Sequence, residues 1–210
     1  MIDEINIVWF KRDLRITDHI PIYIASKESI PFIPLYVLDQ NYWSQDFSSI
    51  RHWNFVYDCL EELNIELSNI GQPLIIKKGS AVNIFKDIQS NFKINKVYAH
   101  EETSNDWVRK ENLSVKNWFA ENLIEFIEYP TNGVVRGLKS RDEWIKIKNQ
   151  RLLSDVMPSP IRVKKIENFR SDLISRKSII FEDNFTFNIQ KGGRKTGLKI
   201  LDTFLDLLKK

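Results

Sequence analysis

Four charged residues, Lys11, Arg12, Asp13 and Arg15, stand between an apolar run (residues 5–10) and a helix start at Thr17-Asp18-His19. Open α/β sheets hold their ligands where a strand end abuts a helix N-terminus. An aspartate among cations can build a hydrogen-bonded network that fixes such a loop. Lys11, Arg12 and Arg15 are equally placed to touch a ligand directly. A second cluster, His100-Glu101-Glu102, follows the run 96–100. Its two carboxylates can accept hydrogen bonds from a nitrogen heteroaromatic ring of the pterin or flavin kind, or serve as the acidic first turn of a helix. His100 by itself reads as a structural histidine.

Other chemistries lack their residues. Neither Gly-x-Gly-x-x-Gly nor Gly-x-x-x-x-Gly-Lys-Ser/Thr occurs, and the bulky turn Lys11-Arg12-Asp13-Leu14-Arg15 cannot let a pyrophosphate lie against the backbone. An ordinary dehydrogenase or nucleotide triphosphatase is not expected on that ground. Gly-x-Ser-x-Gly is absent too. Three histidines (His19, His52, His100) without His-x-x-x-His, and one cysteine, Cys59, give no metal-ligand spacing. No metal is therefore expected in this chain. Cys59, in an apolar helical pattern, reads as a small core residue.

The elements that must position these residues alternate through the first 130 positions. Strand patterns cover residues 5–10, 31–38, 74–77, 96–100 and 123–128. Helical patterns cover 19–28 with Asp18 as its cap, 48–69, 81–92 and 106–121. Asp39-Gln40-Asn41 breaks the second strand. This alternation predicts right-handed crossovers and a Rossmann-like five-stranded parallel sheet of order 3-2-1-4-5, with helices on both faces and a ligand crevice between strands one and four. After residue 133 the pattern fades. A helix is expected at 144–153, an extended linker through Met157-Pro158-Ser159-Pro160 and a C-terminal helix carrying Leu198, Leu201, Phe204, Leu205 and Leu208 on one face. The division is then an α/β domain at 1–133, a linker at 134–191 and the start of a helical part at 192–210.

The chain has 210 residues, 42% of them hydrophobic and 28% charged, as in an ordinary soluble protein. Its net charge of +3 hides an asymmetry: residues 1–135 carry 13 Lys/Arg against 19 Asp/Glu, whereas residues 136–170 carry 10 against 4. A basic extension of this sort meets an acidic neighbouring domain or nucleic acid. No run reaches the ~18 apolar residues of a membrane span. The acidic opening Met1-Ile2-Asp3-Glu4 is unlike a secretory leader, so a cytoplasmic protein is expected.

Several stretches resemble one family. Trp9-Phe10-Lys11-Arg12-Asp13-Leu14-Arg15-Ile16-Thr17-Asp18-His19 is similar to the opening of the DNA photolyases and cryptochromes, usually written with two arginines where Lys11-Arg12 stands. Pro34-Leu35-Tyr36-Val37-Leu38-Asp39 resembles their second strand. His100 to Trp107 and Asn132 to Trp144 resemble one branch of bacterial photolyase-like proteins, and Gly192-Gly193-Arg194-Lys195-Thr196-Gly197 resembles the join to the flavin-binding helical domain. The resemblance implies an α/β antenna domain whose chromophore, methenyltetrahydrofolate or a deazaflavin, is lined by Trp9, Lys11, Asp39, Glu101 and Glu102. It also implies that FAD, the electron-transfer tryptophans and the docking of damaged DNA belong to a helical domain beyond Lys210. This chain alone is then expected to be non-catalytic, with that helical domain as its partner, in the same parent chain or as a separate subunit. The alternative is a stand-alone nucleotide- or chromophore-binding or interaction module without catalysis, which could pair with a second copy through the C-terminal helix. A nucleotide binder of the universal-stress or electron-transfer-flavoprotein kind shares the sheet order, but lacks support from a glycine-rich loop after strand four.

Overall fold

A computed structural model describes residues 3–167, 169–181 and 190–208. Part of the expected linker, 168 and 182–189, lies outside the described residues. Five strands, β1 (Glu4–Phe10), β2 (Phe32–Leu38), β3 (Ile75–Lys78), β4 (Lys93–His100) and β5 (Glu125–Tyr129), form one sheet of order β3-β2-β1-β4-β5. All four strand pairings are parallel, as the alternation of elements predicts.

Alternation along β1 explains the two cores. Ile5, Ile7 and Trp9 point to one face, where Phe85 and Ile88 of α4 (Ala81–Asn91) and Val115 and Phe119 of α5 (Asp106–Glu121) cover them. Val8 and Phe10 point to the other face, against Ile22 of α1 (Ile20–Ala25) and Trp53, Leu60, Leu63 and Leu67 of α3 (Ile50–Asn69). A strand covered on both faces must be apolar at nearly every position, and β1 is. The exception within its buried stretch, Asn6, is fully buried. Its amide donates to Glu28 Oε2 at 2.8 Å and its carbonyl oxygen accepts from Asn95 at 3.1 Å, so the polar group is satisfied.

Several local expectations are corrected. Asp18 does not cap α1. It sits in the left-handed region at φ 52°, and Met157 engages both its backbone N–H and its carboxylate, so the cap passes to His19. Asp39 does more than break β2: its Oδ1 accepts the Asn41 N–H at 2.8 Å and caps a short helix, α2 (Gln40–Trp43). The fifth strand begins two residues late because Leu123 takes φ 57° in the turn leaving α5. The helix after the sheet, α6 (Arg141–Leu152), starts three residues early, capped by Ser140.

Residues 157–167 and 169–181 pack on the domain. Val163 and Ile179 are buried against the α1/α3 face. Along the outer edge of β3, the Ile76 N–H donates to Ser171 Oγ at 2.9 Å, the Asp172 N–H to Ile76 O at 2.8 Å and the Lys78 N–H to Asp172 Oδ2 at 2.9 Å. The segment thereby covers a row of sheet-edge groups that would otherwise invite pairing with another chain. A final helix, α7 (Arg194–Leu208), buries none of its residues.

Phe85 is fully buried between Trp9 and Phe119, at ring-centroid distances of 5.3 and 4.7 Å. Phe85→Ala is expected to destabilise the fold by about 3–5 kcal/mol in denaturant titration. Ile65→Ala, at a solvent-facing position on α3, should change it by less than about 0.5 kcal/mol.

Candidate functional site

The turn after β1 is built on Asp13. Its Oδ1 accepts the Lys11 N–H at 2.8 Å; its Oδ2 receives His19 Nε2 at 2.8 Å and His100 Nδ1 at 2.6 Å. All three side chains are buried. The expectation of a network around Asp13 holds, but its partners are two histidines instead of the flanking cations. His19 Nδ1 accepts the Ile22 N–H at 3.2 Å, which assigns the ring proton to Nε2 and the neutral tautomer to His19. Burial pushes the Asp13 carboxyl pKa up, but the electrostatic pull and hydrogen bonds of His19 and His100 outweigh it and hold the pKa well below its ordinary value. Burial lowers the pKa of His19, against the opposing pull of Asp13.

Asp13, His19 and His100 present ligand-type atoms within 4.8 Å of one another, a grouping that sequence spacing did not reveal. His19 already spends both ring nitrogens inside the protein. A cation there would have to displace either the Asp13 bond or the α1 cap, so the arrangement fits a structural triad better than a metal centre.

Beside this triad, a cavity of about 740 Å³ opens at the carboxyl ends of β1 and β2. Trp9, Phe10 and Tyr36 form its floor; α3 contributes Phe55, Val56 and Cys59, and α5 contributes Trp107, Val108, Glu111, Asn112 and Val115. Tyr42 joins Phe47 and Trp107 at ring distances of 5.4 and 5.8 Å, making an aromatic cluster in the wall. A cavity of this size, whose lining joins aromatic side chains to charged groups such as Lys11, Arg12, Asp39, Glu102 and Glu111, has the character of a small-molecule site.

The cations and acids at the site are mostly spent on each other. Lys11 lies with Nζ 4.3 Å from the centroid of Trp9 and 3.1 Å from Asn112 Oδ1. Burial lowers its pKa, with Glu102, Glu128 and Asp13 opposing. Glu102 takes Arg12 Nε at 3.1 Å, accepts from Asn112 at 3.3 Å and stands 3.9 Å from Lys11. Arg12 also donates to the Tyr42 hydroxyl at 3.3 Å. Burial raises the Asp39 pKa although the N–H groups of Asn41 and Tyr42 oppose it. Glu111 takes no hydrogen bond or ion pair among the described residues; burial, and then the charge of Asp39, raise its pKa.

Four of the five residues proposed from sequence, Trp9, Lys11, Asp39 and Glu102, therefore line one cavity. Glu101 lies on a smaller neighbouring pocket of about 180 Å³ with His100, Arg15 and Asn132, and stands 3.7 Å from Arg151. Cys59 is corrected from core to wall: it is half-buried, lines the cavity, and accepts the Gly193 N–H at 3.1 Å on its sulfur. Sequence reading missed Trp107, Val108, Glu111, Asn112 and Val115. Their spacing of one, three and four residues marks a single helical face pointing at the strand ends, and that signal was available.

A three-layer α/β domain with a parallel sheet of this order and a cavity at its strand ends is of the doubly wound class. The DNA photolyase family model matches residues 6–139, and the chain belongs to that family. It is similar to the chloroplastic/mitochondrial cryptochrome DASH of Oryza sativa subsp. japonica, 26% identical over 186 residues, which cover 83% of this chain and 31% of that protein. The cryptochrome DASH of Synechocystis is 26% identical over 143 residues, covering 66% of this chain and 26% of that one. The chain thus spans less than a third of the length of these relatives. Among solved structures, a class III photolyase of Agrobacterium tumefaciens superposes with a TM-score of 0.76 at 17% identity, over 98% of this chain and 45% of that one. An archaeal photolyase of Sulfolobus tokodaii, described with two FAD molecules, superposes with a TM-score of 0.69 at 22% identity, over 94% and 46%.

The triad fixes a pH dependence. The unfolded chain takes up a proton on His19 near pH 6.5, whereas folded His19 stays neutral to lower pH. Its contribution is complete above about pH 6.5 and is lost as pH falls through that value. The Asp13 contribution is present above about pH 4 and fades as pH falls toward its depressed folded pKa. Unfolding free energy should therefore decline between pH 7 and 5.5, and less steeply in His19→Asn, which keeps a capping oxygen without a titrating ring. Asp13→Asn should cost about 3 kcal/mol at pH 7, because an amide cannot accept from three N–H donors as the carboxylate does.

Proposed function

We propose that this chain is the chromophore-holding antenna portion of a light-driven flavoprotein of the DNA photolyase and cryptochrome kind. The observation that carries the reading is the 740 Å³ aromatic-walled cavity at the ends of β1 and β2 in a chain of this family. Trp9 offers a floor, Lys11 and Arg12 a fixed electropositive edge, and Asp39, Glu102 and Glu111 acceptors for ring N–H groups. A reduced folate such as methenyltetrahydrofolate, or a deazaflavin, has the ring size and donor edge for such walls.

Light absorbed there would pass to FAD held by a helical domain, and repair of pyrimidine dimers in damaged DNA would be the work of the whole assembly. No group in this chain is assigned a catalytic role. The solvent-facing Leu201, Phe204 and Leu208 of α7 support docking against that helical domain, in the same parent chain or as a separate subunit. No described helix is long and apolar enough to cross a membrane, and the cytoplasmic location expected from sequence remains part of the proposal.

The test is an absorption spectrum of the purified chain from about 350 to 450 nm, before and after addition of the folate, the deazaflavin and the separately produced helical domain. A bound-chromophore band that survives gel filtration is the expected result. Its absence under every condition would leave the bare interaction module as the better account.

A further inference from the structure

Lys11 differs from the other partly buried lysines that meet carboxylates. Lys77 and Lys96 stand 3.6 and 3.0 Å from oxygens of Asp172 and Glu28, and Lys116 pairs with Glu128. The Lys11 side chain is only 9% exposed, yet its ion-pair partner, Glu102 Oε2, stands 3.9 Å away. That carboxylate is already engaged: Arg12 Nε takes one oxygen at 3.1 Å, and the Asn112 amide donates to the other at 3.3 Å. Asn112, so oriented, turns its carbonyl oxygen to Lys11 Nζ at 3.1 Å. A neutral acceptor of this kind serves an amine as well as an ammonium. Lys11 therefore lines the cavity over the face of Trp9 with no carboxylate in hydrogen-bond contact. Burial lowers its pKa against the pull of Glu102, Glu128 and Asp13, and Arg136 adds to the fall. Desolvation beside an apolar wall is what turns a lysine from a point charge into a nucleophile, a change that a guanidinium cannot make.

We propose that Lys11 is a reactive amine of the cavity and that it forms a reversible imine with a planar aromatic aldehyde. An aldehyde carbonyl is captured by a neutral amine without prior activation, and the rings of Tyr42, Phe47 and Trp107 in the wall favour a flat aromatic body behind that carbonyl. The Lys11 ammonium gives one proton to solvent. The neutral amine adds to the carbonyl carbon, an N–H proton moves to the carbonyl oxygen, and loss of that oxygen as water leaves the C=N bond. Nothing is oxidised or reduced, and the return of water releases the aldehyde. The inference does not rest on the chromophore reading; it assigns covalent chemistry to one lining side chain.

Reductive trapping on the full chain at neutral pH tests it. The chain is mixed with 2-hydroxy-1-naphthaldehyde or with propanal, the imines are fixed with cyanoborohydride, and peptide mass spectrometry reads the extent of labelling at each lysine separately from the α-amine. With the aromatic aldehyde, Lys11 should be labelled about 10-fold faster than the exposed Lys93 and Lys110, the scale of ring stacking together with a larger neutral fraction. With propanal, which has no ring to stack on the walls, that ratio should fall about 5-fold. Labelling of Lys11 should reach half its maximum at a lower pH than labelling of Lys93 and Lys110, whereas a lysine that is merely buried would react slowly at every pH. Lys11→Arg, which keeps a positive charge beside Trp9 and Asn112, should remove the fast site. The site map of the unaltered chain stands without that variant should it fail to fold. Lys11 labelling no faster than that of Lys93 and Lys110, fast labelling that survives Lys11→Arg, or an equal ratio with propanal overturns the inference. Each of these outcomes leaves the chromophore reading intact, because that reading is judged by its own absorption band.

Discussion

Asp13 carries two imidazole donors on one oxygen and a backbone N–H on the other, in buried surroundings. Each arm holds a different element. Through Lys11 it shapes the turn leaving β1, through His19 it sets the first turn of α1, and through His100 it ties in the end of β4. A buried carboxylate stripped of one partner costs several kcal/mol, so the three elements are fixed together. The neutral His19 is what allows this: a protonated ring could not accept the Ile22 N–H, and α1 would lose its cap. Lys11 leaves a backbone already pinned by Asp13, which sends its ammonium over Trp9 and onto Asn112. The floor of the cavity is thus a consequence of the triad beside it.

Around that floor the protein neutralises its own cations. Lys11, Arg12, Glu102 and Asn112 form a closed set linking the ends of β1 and β4 to α5. Arg136 extends the set outward, donating to Glu102 O at 2.6 Å and to Glu128 at 3.0 Å, which binds the segment after the sheet to the same strand ends. Part of the basic charge after residue 135 is therefore spent on acids of the α/β domain. Neutralising the cations internally fixes their positions along the edge of the cavity.

Much of this was legible in the sequence. Strand number, order and parallel sense follow from the alternation of apolar runs with 3.6-period segments, because a parallel crossover needs a helix and each face needs a cover. Lys11 and Glu102 were legible as strand-end residues, and Trp9 and Asp39 through the resemblance to the family. The Asp13 triad was not, because it joins residues 87 apart and no local spacing encodes that contact. Glu111 was hidden for another reason: on a helix rich in charge it looks like part of a solvated face until the fold places Trp107 and Val115 on the cavity. Cys59 was misassigned because helical period tells which face is apolar, whereas the apolar face of α3 is shared between core and cavity.

The join before α7 shows how a short motif fixes a distant geometry. The Gly192 N–H donates to Asp58 Oδ2 at 3.0 Å, the Gly193 N–H to Cys59 Sγ at 3.1 Å and the Lys195 N–H to Glu62 Oε1 at 2.9 Å, so three contacts within about one turn of α3 seat this segment. A side chain at Gly192 would run into the Phe55 carbonyl, and Gly193 holds φ +101°, where a Cβ would also meet Glu62. Both glycines are required by close approach. Since Gly193 and Arg194 also line the cavity rim, α7 leaves the domain from a point set by the cavity wall itself. A partner seated on the apolar face of α7 would in that way be held at a fixed distance from any ring in the cavity, which is the geometric condition for energy transfer between two chromophores in the proposed function.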